Sequence, residues 1–194
     1  MRRVLLPVLV LFAVLVVIAI GVFIWYLIGY NMAVQKDQAA DAAWADVEAQ
    51  LTRRYDLVPN LVATVKGYAE HEEKIFTELA EARKSYFAAQ APGEQIAAAN
   101  RLEGVISRLL MLTENYPNLR AAETFLSLQD QLEGTENRIA VARTRYNEAV
   151  RDLNTFARSF FGRFFVAQAG VEEAQYFEAP AEVAETVPQV DFAD

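Results

Sequence analysis

There is no cysteine in these 194 residues and only one histidine. The first absence excludes disulfides, thiolate nucleophiles and cysteine zinc sites. The second excludes a di-iron helical bundle, which needs two Glu-x-x-His pairs. The lone His71 stands between Glu70 and the pair Glu72-Glu73, and reads as part of a solvated, charged helix face. Glycine and proline are scarce, eight and six. None of the glycines forms a phosphate-cradling loop or a Gly-x-Ser-x-Gly turn, so nucleotide-binding and hydrolase chemistry have no residues to rest on. The sequence therefore assigns no catalytic, metal or cofactor residue, and the chain reads as a non-enzyme. A basic face is missing too. Net charge is −8, and from Ala169 onward there are seven acids (Glu172, Glu173, Glu178, Glu182, Glu185, Asp191 and Asp194) with no base. Nucleic acid is not an expected partner.

What the chain does have is a long apolar run. Val4 to Ile28 carries no charge and is interrupted only by Pro7 and Gly21. As a helix, 25 residues reach about 37 Å against a hydrocarbon core of about 30 Å. Trp25, Tyr26 and Tyr30 fall where an interfacial aromatic belt belongs. A cleavable signal would end in a small-x-small site; here Phe23-Ile24-Trp25-Tyr26 stands in that place. The run is read as an uncleaved, single-pass anchor in the cell (inner, cytoplasmic) membrane. Arg2 and Arg3 precede it and Lys36 follows it, which sets the N-terminus inside and the remaining chain outside the cytoplasm.

Beyond the anchor the chain shows helical periodicity. Trp44, Val47, Leu51, Val58, Leu61, Val65, Tyr68, Ile75, Leu79, Ala82 and Tyr86 recur at spacings of three and four, with Arg54 and Glu72 in the vacant slots. This is a heptad seam. Its phase passes through Pro59, favouring one long kinked helix to about Ala89 over a hairpin at Asp56–Pro59. A turn at Gln90–Gly93, carrying Pro92 and Gly93, precedes a second helix to about Glu114. Pro117 ends that stretch. A third pattern runs from Ala121 to Phe160, with Gly134 as an open question of continuity.

Two clusters stand out. Arg53, Arg54, Tyr55, Asp56 and Asn60 form the strongest polar group. Arg54 lies on the seam, where a charge is costly unless paired. It reads either as part of a partner clamp or, preferably, as half of an internal ion pair with Glu133 or Glu136. Phe160, Phe161, Phe164 and Phe165, with Arg158 and Arg163 nearby, read as a hydrophobic lid on the bundle or as a membrane or partner patch. The lid is the plainer expectation. Glu136, Arg143, Asn147 and Asn154 make a polar line beside the last seam.

The stretch 43–72, AWADVEAQLTRRYDLVPNLVATVKGYAEHE, and the stretch 115–154, NYPNLRAAETFLSLQDQLEGTENRIAVARTRYNEAVRDLN, resemble the signature of the LemA family. Tyr30-Asn31 and Tyr176-Phe177-Glu178 are similar to the family as well. One departure is Phe160-Phe161, where members usually carry Phe-Pro. The resemblance implies one N-terminal span and an up-and-down helical bundle. It supplies no activity, and by analogy it makes a scaffold role at membranes an expectation.

The expected architecture is all-α: an N-terminal transmembrane helix continuing into an elongated antiparallel, up-and-down bundle of about four helices. Residues 1–3 are a short basic N-terminus, 4–30 the anchor, 31–168 the bundle, and 169–194 an acidic, unstructured tail. The expected function is a membrane-anchored scaffold or adaptor that binds protein partners or itself, with a lipid-contacting or membrane-remodelling protein as the alternative. Its expected partners are membrane lipids, through the span, and a protein or a second copy.

Overall fold

A computed structural model describes residues 2–69 and 71–178, with side chains from residue 9 onward. Every regular element among the described residues is helical. Helix α1 spans Arg2–Lys66, α2 Glu73–Ala88, α3 Pro92–Leu112, α4 Pro117–Arg120, α5 Glu123–Arg158 and α6 Gly162–Ala169, with a 3-10 turn at Thr113–Asn115. The chain divides into two units. One holds Met1–Ala42 with Glu148–Ala174, the other Ala43–Asn147 with the chain from Gln175. Helices α1 and α5 contribute to both.

The second unit is a four-helix bundle. Trp44 packs on Tyr146, and ten residues further along α1, Arg54 meets Glu136, ten residues back along α5. These two helices are therefore antiparallel. So are α1 and α2: Tyr55 stacks on Tyr86, and Lys66 lies over the ring of Phe76. Helix α3 joins α2 through the ion pair Arg108–Glu78 and α5 through Arg143–Glu103. The expected seams supply the core. Val47, Leu51, Val58, Leu61 and Val65 of α1 are buried with Leu79 and Ala82 of α2, Leu102, Val105 and Leu109 of α3, and Phe125, Leu132 and Ile139 of α5. Burial of apolar area at about 25 cal/mol per Å² is what holds such a bundle together.

Helix boundaries overturn one expectation, keep the continuity expected through Pro59 and answer the question left at Gly134. The helix expected to run on to Ala89 ends at Lys66. Gly67 follows, and the Val65 carbonyl accepts from the amides of both Tyr68 and Ala69, closing the helix. The turn up to Glu72 happens to preserve the numerical phase of the seam. The pattern betrays itself at two places: Tyr68, named by the seam, is exposed beside a buried Ala69, and Phe76 is buried where the seam named Ile75. Secondly, Pro59 breaks nothing, because α1 is continuous through it and its ring faces solvent. The missing N–H costs one ladder bond without reversing the chain. Thirdly, α5 runs unbroken through Gly134, but starts at Glu123, after α4 and a short turn. Pro92 is the first residue of α3 and Gly93 the second, while Pro117 opens α4, positions where a missing N–H is harmless.

The first unit contains the apolar part of α1, with the last turns of α5 and all of α6. Its buried cluster is Ala33, Ala157, Phe165 and Val166, with Tyr26 and Phe156 packed against it. The α5–α6 corner is tight. Ser159 Oγ donates to the Phe156 carbonyl (2.7 Å) and accepts from the Gly162 amide (3.0 Å). A Cβ at Gly162 would overlap that same carbonyl, so no other residue fits there without shifting the backbone.

Candidate functional site

The polar cluster on α1 does not act as one group. Arg53, Asp56 and Asn60 are exposed, while Arg54 and Tyr55 turn inward. Arg54 is 7 % exposed and its Nη1 donates to Glu136 Oε2 at 2.7 Å. Its Nε is buried without a partner among the described residues. Tyr55 is fully buried, stacked on Tyr86 with ring centroids 4.2 Å apart. Burial, then the neighbouring Tyr86, pushes the Tyr55 phenol well above its ordinary value. Burial also raises Tyr86, against an opposing hydrogen bond with Thr52. These polar groups hold α1 in register with α5, through Arg54, and with α2, through Tyr55. His71 is exposed in the turn between α1 and α2. No group of three or more His, Cys, Asp or Glu among the described residues could hold a metal ion.

An open groove of about 870 Å³ lies between α1 and α2, with Val58, Pro59, Val62 and Phe76 in its walls and Lys66, Glu73 and Arg83 at its rim. Both rim cations lie over aromatic rings, Lys66 on Phe76 and Arg83 on Phe87. Those pairings use the charges locally.

The polar line on α5 acts together with the chain's C-terminal side. Helix α6 ends at Gly170, whose φ of +67° is the left-handed closure that glycine adopts without strain. Residues 171–178 then continue without helix. Composition placed an unstructured tail from 169; instead this segment is fastened. In the second unit, Asn147 Nδ2 donates to the Phe177 carbonyl (3.0 Å) and Asn147 Oδ1 accepts from the Phe177 amide (2.8 Å). Phe177 is 4 % exposed, under the Arg143 guanidinium at 4.4 Å and beside Trp44. Tyr146 Oη donates to the Gln175 carbonyl at 2.8 Å, and Asn100 Nδ2 to the Glu178 carbonyl at 3.2 Å. In the first unit, Asn154 makes the same paired contact with Ala174, at 2.9 and 3.0 Å. Arg158 grips Glu173 through Nε and Nη2, and that hydrogen bonding holds the Glu173 carboxyl below its usual range. Composition missed this because it counts acids and prolines, whereas the ordering comes from single residues. Asparagine amides replace the missing backbone partners and one phenylalanine is buried. Residues 179–194, the remainder of the expected tail, lie outside the described residues.

The phenylalanine segment divides in the same way. Phe165 is buried, but Phe160 is 77 % exposed, Phe161 58 % and Phe164 47 %. They stand beside the end of the apolar run. Trp25 meets Phe161 and Phe165 edge-on (5.4 and 4.9 Å), and Tyr26 meets Phe164 (6.4 Å). Gly29 lets the helices approach, since a Cβ there would overlap the Phe165 ring. The α1 stretch that they flank is long and apolar enough to cross a membrane, and its side chains from Leu9 to Leu27 are exposed or nearly so. A lid would bury its outer rings; three of these four are bare.

The profile of the LemA family matches residues 43–192, covering both motif stretches and the Tyr176–Glu178 segment. This chain belongs to the LemA family. Among curated relatives, the magnetosome protein MamQ of Magnetospirillum gryphiswaldense is 25 % identical over 202 residues, spanning 90 % of this LemA chain and 74 % of MamQ. The magnetosome proteins MamQ 1 and MamQ 2 of Paramagnetospirillum magneticum are each 24 % identical over 182 residues, spanning 80 % of this chain and 67 % of their own length. The LemA match takes in Arg54, Glu136, Arg143, Asn147 and Phe177, the residues that form the internal pair and hold the C-terminal segment.

Proposed function

We propose that this LemA chain is a membrane-anchored helical scaffold, attached to lipid twice: by the α1 span and by the aromatic corner between α5 and α6. The carrying observation is the exposure of Phe160, Phe161 and Phe164 beside Trp25 and Tyr26, at the end of the apolar run. Each phenylalanine taken out of water contributes about 1.5–3 kcal/mol, so three bare rings here favour the interfacial zone, where Trp and Tyr also concentrate. Lipid contact is thereby drawn into the scaffold reading. The four-helix unit carries the protein contacts, with partners or with itself, and the two arginines before the span support a position outside the cytoplasm. The buried polar residues are spent on packing and on the C-terminal segment, which supports a binding role over a catalytic one.

A single-cysteine variant tests the lipid contact directly, since the natural chain has none. Phe160→Cys in the full chain, labelled with an environment-sensitive fluorophore and reconstituted in vesicles, is expected to emit blue-shifted relative to the same label at Glu81→Cys. Emission as water-exposed as at position 81 overturns the second attachment.

A further inference from the structure

The segment Gln175–Glu178 is held in the four-helix unit by its backbone. Asn147 takes both the amide and the carbonyl of Phe177, Tyr146 takes the carbonyl of Gln175, and Asn100 that of Glu178. Of the four side chains only that of Phe177 is buried, between the Arg143 guanidinium and Trp44. Main-chain hydrogen bonds with one aromatic anchor are how grooves recognise extended peptides in general. The groove also keeps an unused acceptor. Asn100 Oδ1 is buried without a partner among the described residues, whereas Asn147 uses both of its amide atoms. One more peptide N–H would find a place there.

We infer that this groove is a receptor for an extended peptide bearing one phenylalanine, and that the same segment of a second copy of the chain occupies it, linking copies by exchange. The occupant is argued from the complementarity seen within one chain: donors, acceptors and pocket that fit Gln175–Glu178 in cis fit the identical segment in trans. The chain turns at Gly170, the one described residue with positive φ; release from there frees one buried ring, Phe177, and also undoes the bonds of Asn154 to Ala174 and of Arg158 to Glu173. Exchange of this kind is the self-association that the scaffold reading needs, and it rests on that reading.

Position 93 abuts the end of the Gln175 side chain, so cysteines at the two positions fall within reach of a short bis-maleimide cross-linker. Full chains carrying G93C or Q175C, purified separately, mixed in shared detergent micelles and treated with that cross-linker, are expected to form a covalent mixed dimer several-fold faster than either variant alone. Phe177→Ala on the Q175C chain should remove the excess. The double variant G93C/Q175C, diluted, should close within one chain, which reports that the groove is folded. A mixed dimer no faster than the single variants, with the double variant closing normally, overturns exchange, as does an excess that survives Phe177→Ala. A double variant that never closes removes the groove itself. None of these results depends on where position 160 sits in the bilayer, so the lipid contact and the exchange fail separately.

Discussion

Arg54 and Glu136 meet at 2.7 Å across α1 and α5, with the arginine side chain buried and the glutamate 38 % exposed. The pair is thus asymmetric: one partner has lost its water and the other has not. Arg54→Leu is expected to leave stability within about 1 kcal/mol of the natural chain, because a packed apolar residue replaces a desolvated cation whose Nε has no partner among the described residues. Arg54→Ala is expected to cost about 2–3 kcal/mol, mainly from the void left in the seam. Thermal melts of both variants in detergent check this. Equal losses from Leu and Ala would mean that the ion pair itself carries the stability.

The Tyr55–Tyr86 stack predicts an alkaline limit. Both phenols are raised by burial, so the folded state holds their protons more tightly than the unfolded chain does. Their contribution is complete below the ordinary phenol value of about 10 and is lost as pH rises beyond it. The denaturation midpoint should decline above that pH, and the decline should shrink in Tyr55→Phe. That variant also removes a buried hydroxyl that lacks a partner among the described residues, so at neutral pH it should be neutral or stabilising. An alkaline decline unchanged in Tyr55→Phe would place its cause elsewhere.

Gly29→Leu should dislodge Phe165. A side chain at position 29 enters the space of that ring, which packs against Trp25. Overpacking of this kind costs about 1–3 kcal/mol. In a Trp44→Phe background Trp25 is the sole tryptophan, and its emission should shift on Gly29→Leu. An unmoved spectrum would separate α6 from the span.

Topology is open to a direct measurement. Glu81 is exposed on α2. A membrane-impermeant maleimide added to intact spheroplasts should label Glu81→Cys, as expected from Arg2 and Arg3 on the inner side. Labelling only after lysis would reverse the orientation.

The apolar run, the all-helical class and the identity of the core were legible in the residues themselves. They depend on composition and on spacings of three and four, which are local properties of the chain. Val47, Leu61, Leu102 and Ile139 could be named as core because a helix has only one face to bury. The turn after Lys66 was not legible: a reversal that keeps the heptad phase leaves no trace in the spacing. Nor was the role of Asn147 and Asn154, read as one polar line. An asparagine beside a seam can face water or grip a peptide, and the choice depends on a backbone that returns to it from thirty residues on in one case and twenty in the other. The same holds for the phenylalanines. In the sequence the four rings are equal; only the approach of α6 to Gly29 decided that Phe165 is buried while Phe160, Phe161 and Phe164 stay exposed. Hydrophobicity is a property of the residue; exposure is a property of what the fold brings against it.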